Sequence, residues 1–164
     1  MEINELLLKT AFACMSCDGD IDPEEVKLIK QMSDEQHLFG DIAISEKLDT
    51  LFQEINSKGK DFLKQYFREL SDAELDEESE IRIADVAVRT IRADNVIKYS
   101  ELKFFKIIRE HLTHVSDKTL LKKVENIDEQ YLAKDIRPSY MQLYEDYFNS
   151  VELPKFEVNL SAIK

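Results

Sequence analysis

Apolar residues return at three- and four-residue intervals in nearly every segment between Ile3 and Val151, and no sustained period of two replaces that rhythm before residue 150. This is the spacing of helix faces, and a chain written in it buries helical stripes against one another. The expected fold class is therefore all-α. Three glycines and three prolines are too few for the tight turns of a many-stranded β fold or for a glycine-rich phosphate loop. At 164 residues, 43% of them hydrophobic, the chain is long enough to close one continuous core.

The segment Ile3 to Cys17 carries only Glu5 and Lys9 as charges, so its helix is apolar almost all round and is expected at the centre. It runs out at Asp18-Gly19-Asp20. The next helix opens on Asp22 as cap, Pro23 in the first helical position and Glu25 in a capping-box-like place, and buries Val26, Ile29 and Met32. A third helix carries Ile44, Leu48, Leu51, Phe52 and Ile55, and a fourth carries Phe62, Leu63, Tyr66, Phe67 and Leu70, with Lys58-Gly59 between them. The acidic run Asp72, Glu74, Asp76, Glu77, Glu78, Glu80 reads as a solvated linker or an acid-biased helix start. Then come a fifth helix on Ile83, Ala84, Ala87, Val88 and Ile91, and a sixth from about Ser100 on Leu102, Phe105, Ile108 and Leu112. A seventh is expected on Leu120, Val124, Ile127 and Tyr131, and an eighth from near Pro138 on Met141, Tyr144, Tyr147, Phe148 and Val151. Past Pro154, Phe156, Val158 and Leu160 alternate with polar residues, which predicts an extended tail lying along the helical body or adding to a partner's sheet edge.

Thirty-four acidic against 22 basic side chains leave a formal charge of −12, and the basic residues are interleaved with acids, which argues against nucleic acid as a partner. The first residues show no secretory signal, no stretch reaches membrane-spanning length, and Cys14 and Cys17 do not make a disulfide framework, so a cytoplasmic protein is expected. No Ser, Cys or Lys sits in a nucleophile context and no Glu-x-x-His pair is present, so no enzymatic activity is expected. A zinc site from Cys14, Cys17, His111 and His114 is disfavoured, because the histidines lie roughly 20 Å along their helix from the turn at Asp94. Asp18, Asp20 and Asp22 imitate the start of an EF-hand loop, but Pro23 stands where that loop needs glycine and Ile29 where it needs its closing glutamate.

Residues Ala11 to Ile29 lie over Ala87 to Phe105 without a gap. Asp18 meets Asp94, Gly19 meets Asn95, Ile21 meets Ile97 and Glu25 meets Glu101, while Lys98 and Ser100 stand where the first copy has Asp22 and Glu24. In this pattern of apolar helix, Asp-Gly-like turn, isoleucine and helix-opening glutamate, the chain resembles the TerB-like tellurite-resistance family from about Leu6 to Tyr131. The resemblance implies an all-helical bundle of about seven to eight helices built from two related helix-turn-helix copies. It further implies acidic residues that bind a divalent cation, a link to stress responses and no agreed reaction. The expected organisation is a TerB-like domain over 1–134, then a C-terminal helix and extended tail over 135–164, packed on it or partner-binding. The expected metal ligands are Asp18, Glu25, Asp94 and Glu101, with Asp20 and Asp22 adding to the first copy; carboxylate oxygens at the ends of two helices suit calcium, magnesium or manganese. The alternative is a helical protein-interaction scaffold, without a metal site, whose acids are helix caps.

Overall fold

The structure, a computed structural model, describes residues 2–21, 23–93, 98–127, 131–132, 140–154 and 156. Among these are eight helices and no strand: α1 (Ile3–Ser16), α2 (Pro23–Gln36), α3 (Ile44–Lys58), α4 (Lys60–Asp72), α5 (Glu77–Ile91), α6 (Tyr99–His111), α7 (Asp117–Lys123) and α8 (Tyr140–Ser150). The all-α bundle required by the periodicity is the one observed.

Helix α1 is the axis of the molecule. Every residue from Leu6 to Ser16 is buried, and the helix packs most extensively on α5 while touching α2, α3, α4 and α6 as well. A helix enclosed on all sides must satisfy its few polar groups internally, and it does. Lys9 pairs with Glu69 of α4 and lies over the Phe62 ring at 5.0 Å. The Thr10 hydroxyl donates to the Leu6 carbonyl at 2.8 Å, its oxygen lying 2.7 Å from the Tyr66 hydroxyl, and the Ser16 hydroxyl donates to the Phe12 carbonyl at 2.9 Å.

The helix ends follow local chemistry. Asp76 caps α5 by accepting the Ser79 N–H at 2.8 Å, a bond that also holds its carboxyl below the usual range. Ser116 caps α7 by accepting the Thr119 N–H at 3.1 Å. Between α3 and α4 the chain turns on Gly59, at φ 59°, whose N–H donates to the Ile55 carbonyl at 2.7 Å.

The seventh helix is shorter than its apolar spacing predicts. It stops at Lys123, and Asn126 adopts φ 68°, so Val124, Ile127, Tyr131 and Leu132 reach the core from outside α7. Burial is thus obeyed and the helix is not, because an asparagine in the left-handed region interrupts the period. Phe39, in the turn between α2 and α3, is likewise fully buried without belonging to a helix. Pro138, expected near the start of α8, lies outside the described residues.

Helix α8 packs along α6. The Lys60 ammonium donates to the Phe148 carbonyl at 2.7 Å, and beyond α8 the Asn56 side chain takes the Phe156 backbone on both sides, accepting its N–H at 2.7 Å and donating to its carbonyl at 3.0 Å. Residues 151–154 and 156 are non-helical. Val158 and Leu160, on which the alternating pattern rests, lie outside the described residues.

Candidate functional site: the paired acidic turns

The turn after α1 is built on Asp18. Its Oδ1 accepts the Asp20 N–H at 2.9 Å, closing a small loop that carries Gly19 at φ 82°, and the Gly19 N–H donates to the Ser16 carbonyl at 3.1 Å. The Asp18 side chain is only 7% exposed, and its other oxygen meets the Lys98 ammonium at 2.9 Å. The same ammonium lies 3.6 Å from Asp20, whose side chain is open to water. Lys98 is the residue before α6, so this contact ties the start of α6 to the turn after α1. The hydrogen bond from Asp18, followed by attraction to Asp18, Asp20 and Glu101, raises the Lys98 pKa well above the ordinary lysine value and outweighs desolvation.

Each helix-opening glutamate is buried, Glu25 in the first turn of α2 and Glu101 in the first turn of α6. Glu101 Oε1 accepts the Lys98 N–H at 2.9 Å, so it caps its own helix. Both glutamates act on the same pair of thiols. Burial pushes up the Cys14 thiol, with Glu101 and Glu25 adding to the effect. Cys17 is raised by burial, then by Cys14, Glu101, Asp18 and Glu25. The C-terminal end of α1 is therefore under the influence of Glu25, Glu101 and, at Cys17, Asp18. Asp22 and Asp94, the remaining expected ligands of the two turns, lie outside the described residues. Among the described residues no three His, Cys, Asp or Glu side chains are grouped so as to hold a metal ion.

Asp18 and Glu101 already have partners within the protein. One Asp18 oxygen is engaged by the loop and the other by an ammonium, and Glu101 is spent on a backbone N–H. Lys98, which the overlay reads as the loss of an acid opposite Asp22, supplies a cation instead. The feature is legible in hindsight: a lysine replaces an acid in the weaker copy of a repeat whose two turns come together.

The chain also covers this end of the bundle. The Tyr147 hydroxyl of α8 donates to the Cys17 carbonyl at 2.5 Å, and the Glu152 carbonyl and the Pro154 ring lie against the Gly19 Cα, where any side chain would collide. Both cysteines are free and fully buried, with Cys17 Sγ donating to the Cys14 carbonyl at 3.1 Å. Since a thiol must be reached and ionised to attack a disulfide reagent, Cys14 and Cys17 are expected to stay unmodified by Ellman's reagent in the folded protein. Both should react together once denaturant unfolds it. Fast reaction under native conditions would contradict the burial of this end.

His111 and His114 are at the other end of α6, as expected from the sequence. The His111 ring stacks on Phe67 at 6.0 Å, its Nε2 lies 3.1 Å from the Tyr140 hydroxyl, and burial holds its pKa below the ordinary value. His114 reveals a residue that sequence reading misplaced. Glu80, assigned to a solvated acidic run, is 1% exposed and accepts three bonds: the His114 N–H at 2.7 Å, the Val115 N–H at 3.0 Å and His114 Nδ1 at 2.6 Å. The available signal was its spacing, three and four residues before Ile83 and Ala84 on the buried face of α5. No protein-family model, curated protein or solved structure matches the chain.

Proposed function

We propose that this chain is a non-catalytic helical interaction domain whose two acidic turns are joined by an internal cation, Lys98. The observation that carries this reading is the Lys98 ammonium, 2.9 Å from Asp18 and 3.6 Å from Asp20. The acids of the repeat then act as caps and as one half of an inter-turn ion pair, and they hold α1 against α6. The charge of −12 favours a basic protein surface as partner over a nucleic acid. Two free thiols favour a reducing compartment such as the cytoplasm, and no described helix is long and apolar enough to cross a membrane.

The TerB-like reading, a divalent-cation module of stress response or tellurite resistance, is kept as a second proposal on one specific observation. Glu25 and Glu101, matched positions of the overlay, both act on the buried Cys14 and Cys17 thiols, and Asp18 acts on Cys17.

A double-mutant cycle on Asp18→Asn and Lys98→Met tests the first proposal. Lys98 is 41% exposed, which screens the pair, so each single change is expected to cost about 1–2 kcal/mol. The double variant should cost clearly less than the sum, because each single change leaves the other charge without its partner. Strict additivity in urea melts would show that the two turns are not joined through these residues.

A further inference from the structure

At the end of α6 away from the acidic turns, α4, α6 and α8 line a solvent-open cavity of about 230 Å³. Its lining is aromatic. Phe67 stacks on His111, Tyr140 stands edge-on to His111 at 5.1 Å, and the Tyr144 ring lies 5.8 Å from Tyr140 and 6.1 Å from Phe67. Burial keeps this lining uncharged near neutral pH, since it lowers the His111 pKa and pushes the Tyr140 hydroxyl up to about 12.

Lys64 and Arg68 line the same cavity, one helical turn apart on α4. Neither belongs to an ion pair among the described residues, and the Lys64 ammonium lies over the Phe148 ring at 5.3 Å. Arg68 acts on the Tyr144 hydroxyl, lowering its pKa against the larger effect of burial, and Asp61 raises it. In a chain of charge −12, two cations one helical turn apart beside aromatic rings make a locally basic spot. Their charge is complementary to an anion, and the rings are complementary to a flat apolar body.

We propose that this cavity binds a small planar organic acid, a single ring bearing one carboxylate or phosphate, with the ring against Tyr140 and Tyr144 and the charge between Lys64 and Arg68. The volume sets the size, being below the roughly 300 Å³ at which drug-sized sites begin. This site is independent of the acidic turns and of the partner proposed for the domain.

The test is ligand-observed NMR on the full chain with four probes: benzoate, phenyl phosphate, benzyl alcohol as ring without charge, and inorganic phosphate as charge without ring. Benzoate or phenyl phosphate should bind with Kd of about 1 mM, and both half-probes about tenfold more weakly or not at all. A Lys64→Gln, Arg68→Gln double variant, which changes only side chains at the surface, should unfold with the wild-type midpoint and bind about tenfold more weakly. A Tyr144→Leu variant should lose the preference for ring-bearing anions. The proposal is overturned if neither ring-bearing anion binds at millimolar concentration, or if inorganic phosphate binds as well as they do. It is equally overturned if the double variant binds them like wild type.

Discussion

Replacing Phe12 with alanine should remove about 3–5 kcal/mol of stability, the range for emptying a large aromatic site in a closed core. Phe12 is fully buried near the middle of α1 and packs edge-on against Phe52 of α3 at 5.0 Å and Phe62 of α4 at 5.6 Å. Deleting the ring opens a void at the meeting point of three helices. The lining cannot collapse readily, because α1 is held on its other faces by α5, α2 and α6. Against a total of about 5–15 kcal/mol for an ordinary domain, the loss should lower the thermal midpoint by about 10 °C or more. Phe12→Leu, which keeps most of the volume, should cost clearly less. Equal midpoints for wild type and Phe12→Ala would show that α1 is not the core axis.

The second large effect is expected at Glu80. Its carboxylate is the acceptor for the His114 and Val115 N–H groups, and it also meets His114 Nδ1. These bonds tie the start of α5 to the segment between α6 and α7. Glu80→Ala leaves Val115 N–H buried without its acceptor and opens a small void, a loss of about 2–4 kcal/mol. Glu80→Gln retains a side-chain oxygen for the backbone donors and should cost about 1 kcal/mol. His114→Ala should cost less still, because that ring is largely exposed. An order in which Glu80→Ala is worst, Glu80→Gln intermediate and His114→Ala mildest separates a backbone anchor from a simple Glu–His ion pair. If His114→Ala proved as damaging as Glu80→Ala, the anchor would be the imidazole and not the two N–H groups.

Most of the fold was legible because helix periodicity and enclosure are written in the same residues. Ile3 to Cys17 has almost no charge, and α1 is buried on every face; Lys58-Gly59 marks a break, and Gly59 supplies the positive φ that makes it. Legibility failed where burial and helix part company. Leu120, Val124, Ile127 and Tyr131 keep a helical spacing, yet Asn126 leaves the helical region and the residues after it reach the core from outside α7. It failed again where a charged residue serves the interior. Glu80 stands in a run of acids that composition assigns to solvent, and only the backbone donors at His114 and Val115, distant in sequence, reveal its role.

The acidic turns show the same division. The overlay of Ala11 to Ile29 on Ala87 to Phe105 directs attention to Asp18, Glu25 and Glu101, whose charges all bear on the Cys17 thiol. What the overlay does not carry is the sign of the residue between the turns. Lys98 interrupts the acidic pattern in one dimension and completes a charge pair in three. A pattern that scores residue types position by position treats it as a defect, whereas the spatial contact makes it the counter-ion.

The most direct measurement of the central claim is a thermal melt of the full chain in chelator and then in millimolar calcium, magnesium or manganese, alongside Asp18→Asn. If Lys98 is the cation that joins the turns, the wild-type midpoint should be the same in chelator and in each ion. Asp18→Asn should then melt lower than wild type by the same amount in every condition. A site loaded a hundredfold above its Kd would instead add about 2.7 kcal/mol to the folded state. A wild-type midpoint that rises with one of these ions, and does not rise in Asp18→Asn, would contradict the internal ion pair and establish a metal site in its place.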